Sequence, residues 1–224
     1  MCGRFTLEAP PDQLSKIFGL SSLPDITPRY NIAPSQQVAV VRNLGGESHL
    51  DFLKWGLVPS WADDETIGYK LVNARSETVF EKNSFKRPIR SRRCLIPASG
   101  FYEWMHEGES AIPFYISMAN GAPMAFAGIW EQWKSPDNTF LETCAILTTA
   151  SNSLMQKIHD RMPVILHPDE YSLWLDREVS DPARIQPLFK PYPADVMKFH
   201  SVSAVVNNPR NDTPECIAQV AATG

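Results

Sequence analysis

Cys2, the second residue of the chain, could become a reactive N-terminal group. Removal of an initiator methionine is favoured when the next residue is small, as cysteine is. The processed chain would then begin with an α-amine and a thiol on adjacent carbons, with ordinary pKa values of about 8 and about 8.5. An aldehyde would condense with the amine to a Schiff base, and the nearby thiol would close a five-membered thiazolidine ring. The alternative is an incidental cysteine at a frayed terminus.

Glu103 and His159 could transfer protons near neutral pH. Glu103 lies between Tyr102 and Trp104, and partial burial among aromatic rings would raise its pKa. His159 ends a predicted amphipathic helix just before Arg161, and imidazole is the usual group for proton transfer at physiological pH. Both could instead be structural, Glu103 as a surface residue of an alternating strand and His159 as a partner of the helix dipole.

Asn73 and Arg75 precede another predicted helix. The amide of Asn73 can donate and accept hydrogen bonds, and the guanidinium of Arg75 suits a phosphate or a carboxylate. A purely structural alternative stays open, in which Asn73 or Ser76 only caps the helix.

Residues 82–93 carry a concentration of positive charge in a chain whose formal net charge is −4. The six cations are Lys82, Lys86, Arg87, Arg90, Arg92 and Arg93, with no acid among them. Such clusters bind polyanions, although many are simply solvated surfaces. Trp55, Trp61 and the aromatic residues near Glu103 could stack on the bases of a single strand, or could pack in the core.

The distribution of cysteine and histidine argues against a metal site or a disulfide framework. The four cysteines (Cys2, Cys94, Cys144 and Cys216) are far apart and form no C-x-x-C pair. The remaining histidines (His49, His106, His167 and His200) show no metal-ligand spacing. We therefore expect reduced thiols, as in a cytoplasmic protein.

Length and hydropathy predict a soluble, non-secreted protein. The 224 residues suffice for one large domain or at most two small ones. No stretch approaches the roughly 18 apolar residues that span a membrane. Arg4, Glu8 and Asp12 interrupt any signal peptide at the N-terminus.

The elements that must position these residues are mostly short strands, since 19 prolines are spread along the chain. Residues 37–42 and 49–55 flank Gly45 and Gly46, which is a hairpin signal. Further strands are predicted over 112–118 and 124–133, around Asn120 and Gly121, and over 140–148, after the turn at residues 136–138.

Four helices are predicted around these strands. The first covers residues 11–18 and stops at Gly19. The second starts near Ser76 and directs Val79 and Phe80 inward. The third covers 151–159 with Leu154, Met155 and Ile158 as its apolar face, and the fourth covers 168–175 with proline in its first turn. This pattern indicates an α+β fold around an antiparallel sheet or open barrel.

Taken in order, nine motifs make the chain resemble the SRAP family (SOS response-associated peptidase). They are residues 1–5 (MCGRF), 30–34 (YNIAP), 55–61 (WGLVPSW), 73–78 (NARSET), 93–98 (RCLIPA), 100–104 (GFYEW), 148–150 (TTA), 159–163 (HDRMP) and 202–207 (VSAVVN). The resemblance runs nearly end to end. It implies a single α+β domain over residues 1–224, with an antiparallel barrel-like β-sheet core and peripheral helices.

The resemblance also implies a function and a set of site residues. The terminal Cys2 would form a covalent thiazolidine crosslink with the aldehyde of an abasic site in single-stranded DNA, shielding the lesion. The implied catalytic residues are Cys2, Asn73, Glu103 and His159. The implied DNA-binding residues are Arg4, Arg75, Arg161, Trp61 and Thr149. No metal and no organic cofactor is implied.

Two other functions stay open at this point. One is a cysteine peptidase that uses Cys2 with His159, as the autoproteolytic activity in the family name suggests. The other is a non-covalent module for single-stranded DNA. We expect a monomer that binds no membrane and acts near the nucleoid in a bacterial cytoplasm, or in the nucleus of a eukaryote. Cleavage of the DNA strand at abasic sites (AP lyase activity) is expected as a side reaction.

Overall fold

Thirteen strands and four short α-helices occur in the part of the chain that the computed structural model describes, residues 2–22, 24–108 and 110–220. In chain order they are β1 (Phe5–Leu7), α1 (Pro11–Phe18), β2 (Arg29–Ile32), β3 (Gln37–Leu44), β4 (Glu47–Trp55), β5 (Asn73–Arg75), α2 (Pro88–Ser91), β6 (Arg93–Ala98), β7 (Gly100–Glu107), β8 (Ser110–Met118), β9 (Met124–Lys134), β10 (Phe140–Ala150), β11 (Arg161–Pro163), β12 (Ile165–Leu166), α3 (Tyr171–Leu175), α4 (Pro182–Ile185) and β13 (Met197–Ser201). Short 3-10 helices lie between several of them. In these ranges, no helix has the length and apolar character needed to cross a bilayer.

Five strands close into a barrel in the order β3, β4, β10, β9, β6. Four of the five contacts round this ring are antiparallel, and the β4–β10 contact is parallel. A closed ring with an odd number of strands cannot alternate direction all the way round, so one parallel contact is unavoidable. The predicted antiparallel barrel-like core is confirmed, with this one parallel seam.

A second, open sheet has the order β13, β8, β7, β1, β2 and is antiparallel throughout. It packs on the barrel through aromatic side chains. The ring of Phe5 lies 5.2 Å from Trp55 and 5.8 Å from Phe126, and Phe101 contacts the same Phe126 ring edge to face. Burial of each such side chain stabilises the fold by roughly 1.5–3 kcal/mol. The strand that leads out of Cys2 is therefore fixed against the barrel.

Several local predictions are confirmed. The first helix covers Pro11–Phe18 and ends at Gly19, whose φ of 62° is left-handed. β3 and β4 form the predicted hairpin, with φ of 67° and 95° at Gly45 and Gly46. The fourth helix is present as a 3-10 turn, Pro168–Glu170, that continues into α3.

The predicted helix starting near Ser76 is wrong. Residues 76–87 form successive turns, and the helix that follows, α2, has only four residues. The backbone N–H of Ser76 donates to Thr148 O at 2.9 Å, which continues the pairing of β5 with β10. Separate turn bonds follow, such as Lys82 N to Thr78 O at 3.0 Å, but they do not join into one helix. Val79 is nevertheless fully buried, as predicted.

The predicted helix over 151–159 is also wrong, because only Met155–Lys157 are helical and they form a 3-10 turn. The Asn152 side chain accepts a hydrogen bond from the N–H of Met155 at 2.9 Å, and Ser151 N donates to Asp160 O at 3.0 Å. These bonds close the segment into a loop. Met155 and Ile158 are buried, so the apolar pattern reflects burial rather than a long helix.

The turn at Asn120 and Gly121 does not form a hairpin. β8 belongs to the open sheet and β9 to the barrel, so this turn carries the chain from one sheet to the other. Sequence patterns for a turn do not specify which strands it joins, since pairing depends on contacts distant in sequence.

Candidate active site

The C-terminal end of β10 brings three segments of the predicted site together. β5 pairs with it in parallel, so that Asn73 is opposite Ile146 and Arg75 is opposite Thr148. β11 pairs with it on the other side, placing Arg161 opposite Ala150. Residues from two well-separated motifs therefore flank one strand end.

Cys2 is joined to this strand end by a hydrogen bond. The side-chain Nδ2 of Asn73 donates to the backbone oxygen of Cys2 at 2.8 Å. Its Oδ1 is buried, with no hydrogen-bond partner among the described residues, so it can accept a bond from a ligand. Cys2 is fully buried, and burial together with the charge of Glu103 raises the pKa of its thiol well above the ordinary value. These surroundings thus favour the protonated thiol over the thiolate.

Glu103 lies on β7, beside the residues that precede β1. The N–H of Tyr102 donates to the oxygen of Arg4 at 2.9 Å, which extends the β1–β7 ladder towards Cys2. Glu103 is 4 % exposed. Burial raises its pKa above the ordinary value, and the electrostatic effect of His159 opposes this rise. Its pKa therefore moves in the direction that suits a general base near neutrality.

Two contacts at Nδ1 of His159 bear on which ring nitrogen carries a proton. The N–H of Arg161 donates to Nδ1 at 3.0 Å, which requires an unprotonated Nδ1 and places the proton of a neutral ring on Nε2. Asp160 Oδ1 lies 2.9 Å from the same Nδ1, a contact that suits a protonated Nδ1 instead. The two contacts correspond to two forms of the ring: the neutral ring with its proton on Nε2, and the protonated ring with a proton on each nitrogen.

The three predicted DNA-binding arginines differ in what they contact. Arg75 is exposed. Arg161 donates to Thr148 O at 2.7 Å and forms an ion pair with Glu77, which lowers the pKa of that carboxyl group. Arg4 Nη1 turns inward to Asn31 Oδ1, at 2.6 Å. In this structure Arg75 is therefore the one of the three most open to an anion, and Glu77 competes with an anion for Arg161.

Trp61 and Thr149 have opposite environments. Trp61 is 58 % exposed and lines a cavity of about 500 Å³ together with Asn73, Arg75 and Lys82. Thr149 is 5 % exposed, and its hydroxyl donates to Phe189 O at 2.9 Å. The structure thus brings Trp61 to the surface beside the site, whereas the hydroxyl of Thr149 holds a neighbouring loop.

Half of the basic stretch has a structural role. The buried Arg93 donates to the carbonyls of Trp174 and Ile89, at 2.6 and 2.9 Å, and Arg92 pairs with Glu131. Arg90 donates to Ser180 O at 3.1 Å. Lys82, Lys86 and Arg87 are exposed, and Arg90 is exposed as well despite its bond to Ser180. The face available to a polyanion is therefore smaller than the sequence alone indicates.

Sequence reasoning missed two residues, Glu77 and Asn31. Both lie inside motifs of the resemblance, but the first pattern suggested a helix and the second suggested no chemistry. Their signal is a spatial one, since each contacts an arginine far away in the chain. Among the described residues, no group of three or more His, Cys, Asp or Glu side chains could hold a metal ion. All four cysteines carry free thiols.

The model of the SOS response associated peptidase (SRAP) family matches residues 1–209. The chain belongs to this family. A relative within it, the abasic site processing protein YoqW of Bacillus subtilis (strain 168), is 46 % identical over 221 residues, covering 97 % of this chain and 99 % of the relative. The abasic site processing protein HMCES of Rattus norvegicus is 33 % identical over 270 residues, covering 97 % of this chain and 76 % of the relative.

The fold of this SRAP chain is similar to that of a solved structure. The crystal structure of a protein from Bacteroides thetaiotaomicron is 28 % identical, with a TM-score of 0.87, and the match covers 98 % of this chain and 100 % of that one. The SRAP resemblance read from the sequence motifs is confirmed.

Proposed function

We propose that this SRAP-family chain processes abasic sites in single-stranded DNA by forming a covalent thiazolidine link through Cys2, after removal of Met1. Abasic site processing is the function named for its relatives in Bacillus subtilis and Rattus norvegicus. The observation that carries the chemistry is the 2.8 Å hydrogen bond from Asn73 to the backbone of Cys2. This bond holds the backbone of Cys2. The charge of Glu103 acts on the Cys2 thiol, and the charge of His159 acts on Glu103.

The reaction begins with opening of the deoxyribose ring. The closed sugar is a hemiacetal, so the C1′–O4′ bond breaks while the C1′ hydroxyl loses a proton and O4′ gains one. His159, in its protonated form, supplies the proton to O4′ from Nε2, and the proton of the C1′ hydroxyl returns to the imidazole ring. Asn73 Oδ1, which has no partner among the described residues, accepts a hydrogen bond from a sugar hydroxyl.

Two bonds to C1′ then form in turn. Glu103 accepts a proton from the α-ammonium of Cys2, and the free amine attacks the aldehyde. Glu103 then returns this proton to the departing hydroxyl, which leaves as water and gives a protonated imine. The sulfur next bonds to the imine carbon, and its proton passes through Glu103 to the nitrogen. Because the thiol is neutral, this step needs a base beside it, and Glu103 is the carboxylate whose charge acts on Cys2.

The phosphates are contacted by exposed cations beside the cavity, with Trp61 as a stacking surface. Phosphate contacts give affinity that depends on salt rather than on sequence. An abasic nucleotide carries no base to unstack, so its selection costs less distortion than flipping an intact one. The acting species is proposed to be a monomer. If ring closure fails, the imine allows β-elimination and strand cleavage.

The test mixes untagged protein with a single-stranded oligonucleotide that carries one abasic site, and follows the mixture on a denaturing gel. We expect a slower band that survives denaturation and is absent with intact DNA. A version with an uncleaved N-terminal tag should bind the oligonucleotide but form no such band.

Two results would support the alternative functions. Binding without any denaturation-resistant band would indicate a non-covalent module. Cleavage of a peptide in trans that persists with the N-terminal tag would indicate a cysteine peptidase.

A further inference from the structure

Asn31, on β2, is fully buried and joins two distant parts of the chain. Its Nδ2 lies 3.1, 3.1 and 2.7 Å from the carbonyl oxygens of Val206, Asn208 and Asn211, which belong to residues 206–212, here called the C-terminal loop. Its Oδ1 accepts from Arg4 Nη1 at 2.6 Å. If the Asn31 amide were reversed, its N–H groups would face the N–H groups of Arg4 and its oxygen would face three carbonyl oxygens. No hydrogen bond could then form on either side, so the surroundings fix the orientation of the amide.

Arg4 is held at three points by this arrangement. Its Nη1 also donates to Val206 O, at 2.9 Å, so both hydrogens of that nitrogen are used. The guanidinium carbon lies 5.8 Å from the ring centroid of Trp104. Arg4 is thereby fixed to the C-terminal loop and to β7, two residues along the chain from Cys2.

We propose that Asn31 is a positioning residue for the reaction of Cys2, acting through Arg4; this rests on the proposed function. Asn73 holds the backbone of Cys2 from the barrel side. Asn31 and Arg4 hold the same short segment from the side of the C-terminal loop. A loss of either anchor lets the terminal amine sample more positions, and a misplacement of about 1 Å in a reacting group can slow a reaction about 100-fold.

Asp212 provides a matched control, because it binds the same strand and belongs to the same loop without contacting Arg4. Its Oδ1 accepts from the N–H of Asn31 at 2.9 Å, and it forms an ion pair with Arg29. Asp212→Ala therefore loosens the contact between β2 and the C-terminal loop but leaves the Asn31–Arg4 bond in place.

The experiment measures three quantities for wild type, Asn31→Ala and Asp212→Ala. They are the first-order crosslinking rate at saturating abasic DNA, the Kd for DNA carrying tetrahydrofuran (an abasic analogue without an aldehyde), and the melting temperature. We expect both variants to lose stability, but only Asn31→Ala to crosslink 10-fold or more slowly, with its Kd within threefold of wild type. Asp212→Ala should stay within threefold of wild type in rate.

Equal rates for wild type and Asn31→Ala, or equal slowing of both variants, would overturn the inference. Arg4→Ala gives a second test that does not depend on whether Asn31→Ala folds. It should slow the crosslinking rate at saturating DNA as well as weaken binding, and a change in Kd alone would overturn the role of Arg4 as the link. Failure of wild type itself to crosslink would instead contradict the proposed function.

Discussion

At the scale of single residues, the site combines a buried thiol with a buried carboxylate. The thiol of Cys2 has a raised pKa because it is buried and lies near the charge of Glu103. A neutral thiol is a weak nucleophile, but it needs only to add to an imine that the amine has already formed. In the proposed mechanism Glu103 serves twice, first as a base for the amine and next as a base for the thiol.

Cys2→Ser retains the amine and replaces the sulfur with a much weaker nucleophile. It should still form an imine but should not close a stable ring. We expect an adduct that disappears on heating unless it is reduced with borohydride, together with more strand cleavage than in wild type. Denaturing gels with and without borohydride measure both, and an adduct as heat-stable as that of wild type would contradict the thiazolidine.

Glu103→Gln removes the base and preserves the shape of the side chain. General-base catalysis contributes about 10²–10⁴-fold, so we expect crosslinking at saturating DNA to be at least about 100-fold slower, with little change in Kd. The wild-type rate should rise with pH as the raised pKa of Glu103 is passed, because the carboxylate is the active form. Single-turnover rates against pH test this; equal losses of rate and affinity would show that Glu103 chiefly supports binding.

The same substitution should change the pH dependence of stability. A carboxyl group whose folded pKa is raised contributes stability that is fully present below its unfolded pKa, about 4.3, and is lost as pH rises through the folded pKa. Glutamine does not titrate, so Glu103→Gln should melt higher relative to wild type at pH 8 than at pH 4. The exposed Glu178→Gln is the control and should show no such difference.

At the scale of elements, the end of β10 organises the candidate site because two further strands pair with it. β5 and β11 pair with opposite edges of β10. The loop 151–160 is closed by the bond from Ser151 to Asp160, which places His159 at the start of β11. The proposed chemistry thus lies where a strand leaves the barrel.

Thr149→Val tests whether Thr149 serves the fold or the DNA. Valine keeps the shape of the side chain but loses the hydrogen bond to Phe189 O, so unfolding should become easier by about 1 kcal/mol. We expect DNA affinity to stay within twofold. Trp61→Ala is the comparison and should weaken DNA binding without loss of stability. Urea unfolding measures stability and DNA titration measures affinity. A large loss of affinity in Thr149→Val would support the predicted DNA contact of Thr149.

At the scale of the whole molecule, net charge and local charge act in opposite directions. The chain carries a formal charge of −4, yet exposed cations lie around the cavity beside Asn73. Since half of the basic stretch is committed to carbonyls, ion pairs and ring contacts, few positive charges remain for phosphates. Binding should accordingly be moderate and sensitive to salt.

Lys86→Gln removes one of the exposed cations that lies beside Trp61. Each phosphate contact to a single strand contributes about 0.7 to the slope of log affinity against log salt, so the slope should fall by about that amount. Lys16→Gln, the same change on the exposed side of α1, is the control and should leave the slope unchanged. An unchanged slope for Lys86→Gln would place the DNA elsewhere.

The strand content, the first hairpin and α1 follow from local patterns, and the SRAP family follows from the order of nine motifs. Local signals suffice there because glycine conformations and apolar spacing act over a few residues. The predicted helices at Ser76 and over 151–159 are wrong because local signals do not include distant contacts. Those contacts are the pairing with β10 and the closure of the loop 151–160.

The sequence by itself determined which residue types could react: an N-terminal thiol and amine, a carboxylate among aromatic rings, a histidine and an amide. Only the tertiary structure decided that Asn73 binds the backbone of Cys2, that Arg4 turns inward to Asn31 and that Thr149 is engaged by Phe189. Those contacts join residues 27 to 71 positions apart, and the pairing of strands and the packing of loops in both sheets set them. The spacing of residues along the chain does not indicate which strand edges pair with each other.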